Sequence, residues 1–525
     1  MSLPTPDHDT LAAVAEGYGL GLSPEAVDEF APAVAGLLAS WDVVAELHDA
    51  EATAPPERAW SRPADADNPY NAWYVTTSIT ERDSGPLAGR TVAIKDNTAV
   101  AGVPMTNGST TVEGFVPRHD ATIVRRMLDA GATVAGKAVC EDLCFAGASI
   151  TASTGDVENP WDPTRSAGGS SSGSAALVAG GHVDMATGGD QGGSIRMPAA
   201  NCGLVGHKPT WGLVPYTGAF PIEATIDHVG PITRTVADAA LMLSVIAGSD
   251  GHDPRQPSDL IPADYVAALE QGGAGLRVGV LREGFGLPES EPEVDAAVRS
   301  AVSALSDAGM SVTEVSVPWH LHGPKIWDVI ATEGATSQMI DTYGYGLNWK
   351  GLYDPELMEH YGRLWTEDGT RFSDTVKLVL LAGRYGLDTS HGKHYAMARN
   401  LAPKLAAAYD ARFAEVDLLV LPTMPMRATE RPGRSAPTLE LLGRALEMLA
   451  NTSPFDVTGH PACSVPAPLA EGLPVGMTIV GRQFDDATVL RAAHAYEQAV
   501  GGFPLPAAAR IPAARPPSAA TTVTV

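Results

Sequence analysis

Residues 168–209 read GGSSSGSAALVAGGHVDMATGGDQGGSIRMPAANCGLVGHKP. Two Gly/Ser clusters dominate this stretch. The first, 168–173, runs into a helical pattern, Ser174-Ala-Ala-Leu-Val178, and the second, 188–194, follows a strand candidate at 183–186. Glycine at this density serves positive-φ turns and close backbone approach. A row of exposed N–H groups beside a serine is what a developing oxyanion needs. A flexible linker does not fit, because strand and helix patterns flank the run. Asp190 and Arg196 also sit within it and are expected to pair and brace the loop.

Outward from this stretch, short β-branched runs alternate with helical patterns from about residue 85. Thr91-Val-Ala-Ile-Lys95 reads as a strand. Asp120 is expected to cap a helix carrying Ile123, Val124, Met127 and Leu128, which stops at Gly131, and 133–135 is the next strand. Further strands are expected at 276–281, 312–317, 418–421 and 477–480. One helix carries Val294, Val298, Val302 and Leu305; another, opened by Asp485 and Asp486, carries Val489, Leu490 and Ala493. This alternation predicts an α/β fold with much parallel pairing.

Residues 1–75 are expected to form an N-terminal helical extension. Ser23 caps a helix with Pro24 at its first position, and Val27, Phe30, Val34, Leu37, Leu38, Trp41 and Val44 share one face. Pro32 should kink or divide it. So apolar a stripe calls for a cover, either the body of the chain or a second copy. Residues 76–317 and 416–505 are read as two parts of one core. Residues 318–415, rich in Trp, Tyr and Met and poor in strand runs, are read as an inserted helical subdomain. The Pro/Ala-rich stretch 506–525 is read as a loosely attached, flexible tail.

Composition narrows the class. The chain has 525 residues, 44% hydrophobic and 18% charged, enough for sizeable cores. With 35 basic against 62 acidic residues the net charge is −27, which repels nucleic-acid phosphates and anionic lipid. Four cysteines, at 140, 144, 202 and 463, make no disulfide framework. The start, MSLPTPDHDT, has no basic or apolar signal-peptide region, and no run of 18 apolar residues occurs. The expectation is a cytoplasmic protein with no nucleic-acid or membrane partner.

Three motif matches lead elsewhere and fail. Val92-Ala-Ile-Lys95 fits a kinase strand, but HRD, DFG and APE are missing. Gly131 to Lys137 approaches a P-loop, yet Ala138 offers no hydroxyl to Mg²⁺. Gly169-Ser-Ser-Ser-Gly173 fits a nucleophile elbow, but a Pro/Asp/Trp loop precedes it where a strand is required. Asp227 and His228 are adjacent in sequence, which is wrong for a relay. Cys202, eight residues from Ser194, lacks the Glu–Lys–Cys surroundings of a nitrilase-like nucleophile.

A serine hydroxyl needs a base, and a buried, unprotonated lysine can serve. Lys95, ending an apolar strand, suits that role. The stretch 168–209 resembles the signature of the amidase signature family, approximately G-G-S-S-G-G-S…G-T-D-x-G-G-S-I-R-x-P-A. Gly89-Arg-Thr-Val-Ala-Ile-Lys-Asp-Asn97 and Gly136-Lys137…Glu141 also resemble family blocks. So does the later run Asn451…Pro454…Gly459-His-Pro461…Ser464-Val-Pro466…Leu473-Pro-Val-Gly476…Gly481. The likeness covers about residues 85–500. It is strongest to the bacterial amidases that accompany nitrile hydratases, which carry a helical N-terminal extension and pair as homodimers. Two positions depart from the common pattern: Ser172 stands where Gly is frequent, and Gly189 where many members have Thr.

The resemblance implies a large mixed, mostly parallel twisted sheet covered by helices, and a Ser–cis-Ser–Lys triad. By motif position Ser194 is the nucleophile, Ser170 the bridging serine on a cis peptide, and Lys95 the base. The N–H groups of Gln191, Gly192, Gly193 and Ser194 form the oxyanion hole, with Ser171 positioning the loop. Phe145, Ile226, Trp327, Leu446 and Leu449 are the residues implied for the acyl pocket. The implied activity is hydrolysis of small uncharged aliphatic or aromatic carboxamides, with no cofactor and no metal, at neutral to alkaline pH. Anilide or carbamate hydrolysis is the nearby alternative. The rival within the family is the amidotransferase component that releases ammonia from glutamine for misacylated tRNA. It has Gln after Ser-Ile-Arg, where this chain has Met197. An inactive scaffold is the rival outside enzymology, and retention of Lys95, Ser170 and Ser194 argues against it.

Overall fold

The structure is a computed structural model and describes residues 4–348, 350–433 and 435–510. It divides into a unit ending at Pro56 and a body beginning at Glu57. The N-terminal unit is two helices, His8–Gly17 and Pro24–Glu51. Ser23 caps the second, its hydroxyl accepting from the Ala26 N–H at 3.3 Å, with Pro24 at the first turn. Of the expected kink or division at Pro32, the division does not occur: the helix runs unbroken through it, and the proline forfeits one hydrogen bond, to the Asp28 carbonyl. The helical extension also ends well short of residue 75, because the next segment already belongs to the sheet.

Twelve strands form one sheet. In chain order they are β1 Trp60–Ser61, β2 Trp73–Ile79, β3 Thr91–Lys95, β4 Thr133–Ala138, β5 Met185–Asp190 and β6 Val205–Lys208, then β7 His228–Thr233, β8 Arg277–Leu281, β9 Ser311–Val315, β10 Leu418–Pro422, β11 Ala462–Ala470 and β12 Leu473–Val480. Across the sheet the order is β1-β2-β4-β3-β5-β7-β6-β11-β12-β10-β8-β9. The α/β class and the mixed sheet agree with expectation. The parallel majority does not: among the described residues only β3–β4, β3–β5, β8–β9 and β8–β10 pair in parallel. The middle of the sheet is antiparallel; within it β6–β7 and β11–β12 are consecutive strands joined without a helix. The β11–β12 hairpin closes on Glu471 and Gly472, both with positive φ, as a tight two-residue turn matching strand twist requires.

The apolar run of β10 shows how the layers form. Leu418 and Val420 join one hydrophobic core, and Leu419 and Leu421 join a second. Alternate side chains point to opposite faces, so a continuous apolar strand is covered on both. Each leucine buried this way contributes about 1.5–3 kcal/mol. Residues 318–415 supply the cover for the second core, through helices that include Gly323–Ala335 and Lys393–Phe413. The region is helical and falls within the body.

One helix start differs from the sequence reading, that at Asp120, while the helix opened by Asp485 and Asp486 begins as expected. The helix Thr122–Asp129 begins without a side-chain cap. Asp120 instead accepts from Arg58, at 2.6 and 2.9 Å, and from the Ala101 N–H. The helix Asp486–Ala499 follows Asp485, while the Asp486 carboxylate accepts from Thr210 and contacts His207 at 3.0 Å. The described chain ends in the short turn Ala507–Arg510, and most of the expected tail, 511–525, lies outside the described residues.

Candidate active site

Strands β3 and β5 lie side by side, with Ala93 opposite Ala186. This register sets Lys95, the last residue of β3, beside the C-terminal end of β5. The Lys95 N–H donates to Thr187 Oγ1 at 2.8 Å, locking the strand end. Ser170 arrives on the loop before the helix Ser172–Ala179, and the Gly169–Ser170 peptide is cis. Gly173 lets that helix press against the body: a Cβ there would stand 2.5 Å from the Ala72 carbonyl oxygen. Lys95 Nζ lies 2.8 Å from Ser170 Oγ and 3.4 Å from the Gly189 carbonyl oxygen, and both side chains are fully buried. A side chain at Gly189 would begin 3.3 Å from Lys95 Nζ, so the missing threonine leaves room beside the amine.

Ser194 stands between β5 and the helix Arg196–Cys202. Its Oγ makes no hydrogen bond to any described residue and instead faces a cavity. That cavity is walled in part by Phe145, Ile226, Trp327, Leu446 and Leu449, the five side chains implied for the acyl pocket. Phe145 and Trp327 stack at 6.5 Å. Met197 and Cys144 complete part of the wall. Ser171 Oγ bonds the Gly189 N–H at 3.2 Å and the Gly189 carbonyl at 3.3 Å, fixing the strand end that leads to Ser194.

The loop 191–194 has its N–H groups unused. Among the described residues, none of the backbone N–H groups of Gln191, Gly192, Gly193 and Ser194 finds a protein acceptor. Gly193 has φ +136°, and a Cβ there would meet Thr452 Oγ1 at 2.5 Å, so only glycine fits. Gln191 Nε2 donates to Tyr216 Oη at 3.0 Å.

Behind the loop lies the expected brace. Arg196 Nε and Nη2 bond both Asp190 oxygens at 3.0 and 2.9 Å, a two-point pairing. Asp190 also accepts from the Ile195 N–H, closing the turn that carries Ser194. Arg196 Nη2 reaches Asp456 as well, at 2.7 Å, and Nη1 donates to the Thr452 carbonyl. Burial pushes the Asp190 carboxyl up, but Arg196 outweighs it and holds the group well below the usual carboxylate range. Asp456 goes the other way, raised by burial and by the charge of Asp190. Two carboxyls thus face one guanidinium, with Asp190 shifted down and Asp456 shifted up. His228, 3.5 Å from Asp456, is buried and kept neutral, and His207 is spent on Asp486. Burial also pushes the Cys202 thiol up, unlike a nucleophile's. Thr452, Asp456, Tyr216 and Cys144 went unassigned from sequence; the block around Asn451 and Pro454 was the only signal near Thr452 and Asp456.

Residues 42–490 match the profile of the family described as Amidase. An enantioselective amidase from Rhodococcus rhodochrous is 55% identical over 96% of this chain and 98% of that protein. Among solved structures, a glutamyl-tRNA(Gln) amidotransferase chain from Thermotoga maritima has a TM-score of 0.70 at 30% identity, covering 83% of this chain and 90% of that one. A bacterial aryl acylamidase of the amidase signature family has a TM-score of 0.67 at 28% identity, covering 82% and 86%. The chain belongs to the amidase signature family. It is an amidase, an enzyme that hydrolyses amides.

Proposed function

We propose that this amidase cleaves small uncharged aliphatic or aromatic carboxamides to the acid and ammonia, through an acyl-enzyme on Ser194. The observation that carries this reading is the buried contact, 2.8 Å, between Lys95 Nζ and Ser170 Oγ, with Ser194 on the wall of an apolar cavity. In the proposed chemistry the Lys95 amine takes the Ser170 proton while Ser170 takes that of Ser194. Ser194 Oγ adds to the amide carbon, and the carbonyl oxygen, now negative, is received by the free N–H groups of 191–194. One such donor is worth about 3 kcal/mol. The proton returns through Ser170 to nitrogen, the C–N bond breaks and ammonia leaves. Water then adds to the ester, giving the acid and restoring Ser194. The Ser170–Ser194 link closes when substrate is bound, as catalytic hydrogen bonds often do.

The apolar wall favours an uncharged acyl group. Glutamine would bring an ammonium and a carboxylate against Phe145, Trp327, Leu446, Leu449 and Met197, with no ionised partner among them. This disfavours the amidotransferase-type reading. The aromatic and aliphatic parts of the wall differ, which supports chiral discrimination of the kind named for the Rhodococcus relative.

A second copy of the chain is the proposed partner, met through the N-terminal helices. Phe30, Leu37, Trp41, Val44 and Leu47 of the helix Pro24–Glu51 are all more than half exposed. By length and composition this helix would also suffice to cross a membrane. Asp42 and Glu46 lie within its apolar stretch, and each would cost about 2.5–3.5 kcal/mol at a bilayer centre, so a protein cover is favoured. The cytoplasm is the proposed location, where four buried, reduced cysteines are at home.

The decisive experiment treats the enzyme with a phenylmethyl sulfonyl fluoride and maps the adduct by mass spectrometry, alongside ammonia release from benzamide, propionamide and glutamine. The adduct is expected on Ser194, with Ser194→Ala inactive. An adduct elsewhere, or full turnover by Ser194→Ala, removes the assignment.

A further inference from the structure

The oxyanion loop has a weakness that its own composition creates. Glycine at 192 and 193 allows N–H groups to face a ligand, yet glycine also leaves the backbone the most conformational freedom to lose. Something outside the loop must hold the peptide planes. Trp327 Nε1 donates to the Gln191 carbonyl at 2.5 Å, and Thr452 Oγ1 donates to the Gly192 carbonyl at 2.5 Å. Both anchors are far away in sequence, 136 and 260 residues from their acceptors.

A planar trans peptide points its C=O and the following N–H in opposite directions. Both peptides concerned are trans. Fixing the Gln191 oxygen therefore aims the Gly192 N–H, and fixing the Gly192 oxygen aims the Gly193 N–H. Those two N–H groups are among the four left without a protein acceptor. We infer that Trp327 and Thr452 are positioning residues that pre-orient the Gly192 and Gly193 N–H groups for the tetrahedral intermediate.

The surroundings agree. A Cβ at Gly192 would lie 2.7 Å from the Trp327 ring, and one at Gly193 would lie 2.5 Å from Thr452 Oγ1, so loop and anchors are in direct contact. Thr452 is fully buried and does not line the cavity, so its hydroxyl serves the loop and not the substrate. Its one proton goes to Gly192 O, since the other oxygen in range, Leu449 O, is 3.4 Å away. Thr452 is itself tied down, its carbonyl accepting from Arg196 Nη1 at 2.9 Å. The chain thus closes a ring, from Ser194 through Arg196 and Thr452 back to Gly192.

This inference rests on the reading of 191–194 as the oxyanion hole, and the test separates the two. Wild type, Thr452→Val, Thr452→Ser, Trp327→Phe and Ser194→Ala are compared for benzamide turnover and for binding of benzaldehyde and benzoate. With the aldehyde, Ser194 Oγ adds to the carbonyl carbon, its proton passes toward Ser170 and the oxygen becomes the anion; no leaving group departs. Benzoate occupies the cavity without that addition. Thr452→Val is expected to lower kcat about 10- to 100-fold with KM within about 2-fold. Benzaldehyde affinity should fall in step with kcat while benzoate affinity holds. Thr452→Ser should restore kcat to within about 3-fold. Trp327→Phe, which keeps a ring but loses the N–H, should also lose kcat and benzaldehyde affinity together. Wild-type kcat in Thr452→Val with an inactive Ser194→Ala overturns the positioning role alone. So does equal loss of aldehyde and benzoate binding, or failure of serine to rescue. An active Ser194→Ala overturns the underlying reading instead.

Discussion

Cys144 sits on the cavity wall with Ser194, and its thiol behaves unlike the other three. Burial pushes it up, but hydrogen bonding to Cys140, and to the Ser170 and Lys95 side chains beside it, outweighs burial and brings its pKa to about 7. Cys140, Cys202 and Cys463 are all pushed up, burial being the first cause in each. Iodoacetamide, a small amide shaped like a substrate, is therefore expected to alkylate Cys144 first. The labelling rate should rise with pH through about 7, activity should fall in proportion, and benzoate should protect. Peptide mapping that finds another cysteine labelled first would refute this. Nothing in the sequence marks Cys144. Lys95, Ser170, Ser194 and the Asp190–Arg196 pair were legible because local Gly/Ser patterning and a misplaced lysine carry them. The role of Thr452 comes from a contact across 260 residues, which no local pattern records.

Among the elements, the helical segment after residue 318 is joined to the strand ends by His320. This buried imidazole contacts Tyr409 Oη at 2.7 Å and Asn451 Oδ1 at 3.1 Å, and Asn451 Nδ2 donates to the carbonyls of Gly284 and Pro422. Burial lowers the His320 pKa to about 4, against an ordinary 6.5. The unfolded chain thus binds the proton more readily. The neutral state's contribution is complete above about pH 6.5 and is lost as pH falls toward 4. At pH 5 the loss is about 2 kcal/mol. Urea unfolding at pH 7.5 and pH 5 should show His320→Gln losing less stability on acidification than wild type; equal losses would refute the linkage. Strand runs such as Thr91–Lys95 and Leu418–Pro422 were visible as unbroken apolar stretches. Strands β7 and β11 were not, because Pro231 and Pro466, which interrupt a strand pattern, lie within the ladder. Missing those returning strands is what inflated the expected parallel share.

For the whole molecule, the apolar helix Pro24–Glu51 and the net charge of −27 pull in opposite directions. Charge keeps copies apart, so an association driven by one apolar face should strengthen as salt screens the repulsion. Sedimentation is expected to give twice the mass of one chain, with the dimer fraction rising with salt. Replacing Phe30, Leu37 and Trp41 with polar residues should yield a monomer, and a wild-type monomer at all salt concentrations would rule out the pairing. The body also divides its duties. A strand end carries Lys95 and the loops beside it carry Ser170 and Ser194, while much of the cavity wall comes from residues far along the chain. Trp327 serves wall and loop together, with its ring on the wall and its N–H on the Gln191 carbonyl. Mutant libraries built to admit bulkier substrates by trimming that indole will trade speed for breadth, whereas Leu446 and Leu449, which hold no loop carbonyl, are the positions where selectivity can be rewritten without that tax.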